Sequence, residues 1–188
     1  MRLSESASGN WLLRTLSCAG CGVVALWGFA LLLGSMMGPY RLIGQSGECR
    51  SNLMRVTRAF QLYADDYEDS YPPAEKWNLS VGPYLDKPDR LRCPTVVQAN
   101  PNGFGYAMDS RIAGRMRSRI DVPAKTPIVF DSSNLAANAA DALKSLPKPG
   151  RHRGKRGRGE PIRAGNNIGY GDGSVRMQFD AVGAGTQP

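Results

Sequence analysis

Few side chains in this sequence are equipped for chemistry. His152 is its only histidine, so a histidine-rich metal site is ruled out and no second imidazole can relay a proton. No G-x-S-x-G elbow accompanies it, and no motif singles out a serine or aspartate partner. His152 therefore reads as a loop histidine bonding a turn. The run GRHRGK at 150–155 is one residue short of a phosphate-binding loop and lacks the Ser or Thr that would hold Mg²⁺. Gly169, Gly171 and Gly173 do not open a helix after a strand, so a dinucleotide fingerprint fails too. No catalytic residue, cofactor or small-molecule substrate is indicated, and the chain reads as a non-enzyme.

Three groupings remain. Asp65, Asp66, Glu68 and Asp69 crowd the end of a predicted helix. Ca²⁺ takes about 6–8 oxygen ligands, which makes the cluster a weak calcium candidate; its spacing is not that of an EF-hand, and solvated turn charges are the simpler reading. Of the four cysteines, Cys18 and Cys21 lie in an apolar run where C-x-x-C reads as small-residue packing. Cys49 and Cys93 are the only two in the globular part, and two thiols alone in a tethered domain suggest one disulfide in an oxidising compartment. Closing that loop would contribute roughly 4 kcal/mol in the chain-entropy treatment. The third grouping is basic. Lys148, Arg151, Arg153, Lys155, Arg156, Arg158 and Arg163 face only Glu160 within 148–163, a local +6 out of a net +8. Such a loop can neutralise phosphates of nucleic acid or another polyanion, although it holds no aromatic residue for base stacking. A solvated Gly/Arg-rich loop is the plainer alternative.

The elements that must position these residues follow from periodicity. Residues 15–38 carry no charge, and a helix of that length reaches about 36 Å at ~1.5 Å per residue, enough for a bilayer core. This predicts a single transmembrane helix in contact with lipid, after a short cytoplasmic segment at 1–14. Arg2 and Arg14 precede the span and Arg41, Arg50, Arg55 and Arg58 follow it, a weak orientation signal; the cysteines favour an extracytoplasmic domain over 39–180. Leu53, Val56, Phe60, Tyr63, Ala64 and Tyr67 recur at helical steps from about Cys49 to Tyr67, and Pro72-Pro73 ends that helix. Strands are predicted at 104–108, around 116–120 and most strongly at 126–131, while 134–147 is a short helix or a loop. Ile168 and Tyr170 alternate into Asp172-Gly173, and Val175, Met177 and Phe179 alternate out, a hairpin signature. Residues 181–188 read as a flexible tail. The expected fold is α+β: a long N-terminal helix, transmembrane in its first half, packed on a small antiparallel sheet.

The runs CRSNLMRVTRAFQLYADDYEDSYPP, PYLD, RCP, GYAMDS, TPIVFD, RH and YGDGSVR resemble, in that order over roughly 45–180, the prepilin-like (pseudopilin-like) proteins common in Planctomycetes. These carry a C-terminal motif of His, nine residues, then Asp-Gly. The resemblance implies a pilin-like fold, pairing of Cys49 with Cys93, and motif positions at His152, Asp172 and Gly173. It further implies a structural or accessory role in a type II secretion or type IV pilus-like system at the cytoplasmic membrane, with other pilin-like or secretion-system subunits as partners. Arg14 stands where pilins place an assembly Glu after Gly9. Nineteen residues separate His152 from Asp172, the excess matching an inserted RGKRGRGEPI. The alternative role is a surface binding module for nucleic acid or another polyanion through 148–163.

Overall fold

The computed structural model describes residues 26–32 and 46–180. The expected segments 1–14 and 181–188, and most of 15–38, lie outside the described residues. The chain divides into two compact units, 1–41 and 42–188. In the first, 26–32 is helical and exposed. Among the described residues no helix is long and apolar enough to cross a membrane. That finding corrects the expectation of a single-pass protein of the cytoplasmic membrane, with its lipid contact through 15–38 and its extracytoplasmic domain. It also corrects the single long N-terminal helix. The helix over 46–66, here α1, carries Glu48, Arg50, Arg55, Arg58, Asp65 and Asp66, a charged face suited to water.

The opposite face of α1 forms the core. Leu53, Val56, Ala59 and Phe60 are all fully buried and cluster with Tyr106, Met108, Ile128, Val129 and Val175 of the sheet. Each side chain of that size contributes about 1.5–3 kcal/mol on leaving water. Glu68 and Asp69 end the helix with positive φ, ahead of Pro72-Pro73. Two short helices, α2 (Trp77–Val81) and α3 (Pro94–Ala99), follow. Trp77 is buried, 5.5 Å from the Phe60 ring, and its indole N–H donates to the Ala139 carbonyl at 3.0 Å.

The sheet comprises β1 (Tyr106–Asp109), β2 (Pro127–Asp131), β3 (Ala140–Asp141), β4 (His152–Gly154), β5 (Arg163–Tyr170) and β6 (Val175–Phe179). Their order is β3-β1-β2-β5-β4, with β6 also on β5. It is mixed, where an antiparallel sheet was expected, because β3 runs parallel to β1. The stretch 134–147 carries no strand periodicity of its own, and the Met108 N–H captures it through the Ala139 carbonyl at 2.9 Å. Met116–Ile120 forms no strand; Arg117–Arg119 is a 3₁₀ turn. Both faces of the sheet are covered. Tyr106 and Met108 join the α1 core, whereas Ala107, Phe130 and Ile168 pack with Ala139, Leu143 and Leu146 on the other side. The terminal hairpin is present, with Gly173 at φ +82° in its turn.

Thr57 of α1 packs directly against Gly169 of β5. A Cβ there would overlap Thr57 Oγ1 and press on Val129 Cγ1 at 3.1 Å. Gly169→Ala is expected to destabilise the domain by about 1–3 kcal/mol through overpacking, and Thr57→Ala is expected to recover part of that loss in the double variant. Urea unfolding of the four proteins in the cycle measures it; additive losses would place the strain elsewhere.

Candidate functional site

The architecture of β5 assembles the site. β2 pairs with β5 through residues 168–170 and β4 pairs with it through 163–165, both antiparallel. β4 thereby continues the line of β2, and Asp131 at the end of one meets His152 at the start of the other. The His152 Nε2 atom lies 3.2 Å from Asp131 Oδ2 and 3.3 Å from Oδ1. Cys93, in the residue before α3, places its Sγ 3.8 Å from the same nitrogen. Cys49 of α1 completes the group: the two sulfurs and the ring nitrogen all lie within 4.8 Å of one another. Cys49, Cys93, Asp131 and His152 each have 0% exposure.

The surroundings fix each member. The Asn167 backbone N–H donates to Asp131 Oδ2 at 2.5 Å, and the Arg151 guanidinium stands 3.9 Å from Oδ1. Arg151 also donates to the carbonyls of Gly105 at 2.8 Å and Ser132 at 2.5 Å. The Cys49 sulfur lies 3.3 Å from the Thr95 hydroxyl, and the Tyr106 hydroxyl donates to the Cys49 carbonyl at 3.0 Å. Burial pushes the His152 imidazole down, but the Asp131 hydrogen bond, reinforced by Cys93, more than offsets it and raises the pKa to about 9. Contact with Cys49 lowers the Cys93 thiol, against burial and with help from His152. The same contact and burial raise Cys49.

Both cysteines are free thiols. The expected pair is thus adjacent but not bonded, and each sulfur is occupied instead by a polar neighbour, Thr95 or His152. His152 and Asp172 are not brought together. His152 faces Gly165 and the Asp172 turn follows Tyr170, five residues along β5 or about 17 Å. Asp172 accepts from the Ser174 N–H at 3.0 Å and hydroxyl at 2.7 Å and so serves its own turn. The acidic cluster also disperses. Asp65 and Asp69 pair with Arg117 at 2.7 and 2.8 Å, Asp66 accepts from the Tyr84 hydroxyl at 2.6 Å, and with Glu68 they form no metal-ligating group among the described residues.

The basic run splits in two. Arg151 turns inward, as described, and Arg163 donates to the Asp180 carbonyl at 2.5 Å. Arg153, Lys155 and Arg156 line a cleft of about 590 Å³ with Arg50 of α1 and Arg176 of β6; Lys148 and Arg158 are exposed outside that lining. Asp131, Thr95 and Arg176 were not singled out from the sequence, and Arg50 only as a flanking cation. Only Asp131 left a signal there, a carboxylate ending the apolar run PIVF. No family model, curated protein or solved structure matches the chain.

Asp131→Ala is expected to cost about 3–5 kcal/mol, since it leaves His152 and Arg151 facing an uncompensated interior. Asp172→Ala, at an exposed turn, is expected to cost about 1 kcal/mol. Equal losses in urea unfolding would transfer the structural weight to the hairpin turn. A second prediction concerns acid. Hydrogen bonds from the Ser118 side chain and its backbone N–H, the latter at 2.8 Å, and then Arg117 hold the Asp69 carboxyl below its ordinary range. A depressed folded pKa gives stability that is whole above the unfolded value and is lost as pH falls through the folded one. Thermal melts of Asp69→Asn across that range are expected to show a flatter acid limb than the parent chain.

Proposed function

We propose that this chain is a non-catalytic, pseudopilin-like structural or accessory protein of a type II secretion or type IV pilus-like system, acting by contact with other pilin-like subunits. One observation carries the reading. The side chains best equipped for chemistry, Cys49, Cys93, Asp131 and His152, are sealed from solvent, so no substrate reaches them. What they accomplish is mechanical: they join α1, the turn before α3 and the β2–β4 junction. Surface apolar residues are meanwhile available for contact, with Met54 51% and Leu79 75% exposed.

A photo-cross-linking residue at position 54, and separately at position 79, in the full chain expressed beside the pilus or secretion genes of its own host tests the role. Adducts with pilin-like subunits, identified by mass spectrometry, are expected. Absence of such adducts at both positions rejects it.

A second reading has its own observation. Arg50, Arg153, Lys155, Arg156 and Arg176 line one cleft, and no carboxylate lines it with them. Among the described residues Arg153, Lys155 and Arg156 form no ion pair. Such a cleft suits a nucleic acid or another polyanion, whose affinity falls with the logarithm of salt. Retention on heparin at low salt, lost in Lys155→Glu/Arg156→Glu, is expected; unchanged elution of the parent chain without salt rejects the binding module.

A further inference from the structure

The geometry points to a structural zinc site held by Cys49, Cys93 and His152, whose donor atoms converge within 4.8 Å of one another, and completed by Asp131, which lies outside that mutual group and adjoins it at the His152 ring. Two thiolates, one imidazole and one carboxylate are a ligand set suited to Zn²⁺. Distances decide the matter beyond donor type. In a tetrahedron with Zn–S of about 2.3 Å and Zn–N or Zn–O of about 2.0–2.1 Å, a sulfur and a nitrogen stand ~3.6 Å apart, and a nitrogen and an oxygen ~3.3 Å. The Cys93 Sγ to His152 Nε2 distance is 3.8 Å, and His152 Nε2 lies 3.2 and 3.3 Å from the two Asp131 oxygens. Cys49 Sγ falls within 4.8 Å of the other sulfur and the ring nitrogen. The ring is aimed by the same convergence: buried His152 Nδ1 has no partner, and everything polar that touches the imidazole lies on its Nε2 side.

The balance of the step is simple. Zn²⁺ takes both sulfurs as thiolates, the imidazole in its neutral form and the Asp131 carboxylate, and the two protons thereby released from the thiol and imidazolium groups pass to solvent. All four donors are sealed, which leaves no open coordination position; the ion would brace the fold rather than activate water. Thr95, 3.3 Å from the Cys49 sulfur, and the Asn167 N–H on Asp131 orient two of the ligands from outside. A single histidine excludes only a histidine-rich site; beside two thiolates one imidazole suffices.

The test uses the full chain in a Cys18→Ser/Cys21→Ser background, reduced, stripped with a chelator and titrated with Co²⁺. One equivalent is expected, with thiolate-to-cobalt charge transfer and the strong visible bands of a tetrahedral ion, all displaced by Zn²⁺. His152→Asn is expected to abolish those bands, and Asp131→Asn to weaken binding about 10–100-fold. If either variant fails to fold, competition between the parent protein and a colorimetric zinc chelator decides: one equivalent held supports the site, none refutes it. A folded, reduced chain that takes up no cobalt overturns the proposal. So does a chain isolated without zinc whose Cys49 and Cys93 are already joined as a disulfide.

Discussion

The structure depends on satisfying one buried negative charge. Asp131 has no exposure, and an isolated carboxylate in such a place costs several kcal/mol unless it is paired and hydrogen-bonded. Two chain segments supply what it needs: β5 gives the Asn167 N–H, and the start of β4 gives the His152 ring and, more distantly, the guanidinium of the preceding Arg151. None of these donors is useful unless β2 and β4 both align on β5. The requirement to neutralise Asp131 therefore selects the register of the sheet as well as the position of the loop between 131 and 152. Arg151 extends the constraint to the Gly105 and Ser132 carbonyls, so β1 is tied to the same point.

This dependence explains why some elements were readable from the sequence and others were not. α1 announces itself because Leu53, Val56 and Phe60 fall on one helical stripe, a local pattern that the core then uses unchanged. β2 and the terminal hairpin are equally local: PIVF is strongly β-forming, and Gly173 supplies the one left-handed position of the turn at φ +82°. β4 was invisible. Its residues His152, Arg153 and Gly154 have no strand propensity and stand within a run of cations, and only pairing with Arg163–Gly165 makes them a strand. β3 is a similar case, recruited from an alanine-rich loop by pairing with β1. The site was half legible: the cysteines and histidine were evident as residue types, but Asp131 looked like the end of a strand. The inward turn of Arg151 could not be separated from its basic neighbours by composition alone.

The division among the basic residues shows how one charged run can serve two physical purposes. A guanidinium can be buried where carbonyls and a carboxylate receive its planar donors, as Arg151 is; an ammonium has no such fork. Arg151 stands just before β4 and turns inward beside His152, while Arg153 points away from His152 because successive side chains on a strand alternate. That alternation delivers Arg153 to the cleft, where Arg50 of α1 and Arg176 of β6 already stand. Arg176 is partly committed, lying 3.6 Å from Asp172 and 3.9 Å from the centre of the Tyr170 ring, and Arg50 donates to the Val175 carbonyl. The uncommitted positive charge of the cleft is thus that of Arg153, Lys155 and Arg156, residues of the basic run. Inside, charge is matched and holds elements together; outside, like charges are gathered without a counterion from the described chain. Like charges so placed repel one another, and an anionic partner would relieve that repulsion, so the cleft rather than the sealed cluster is where this domain has free energy to gain from another molecule.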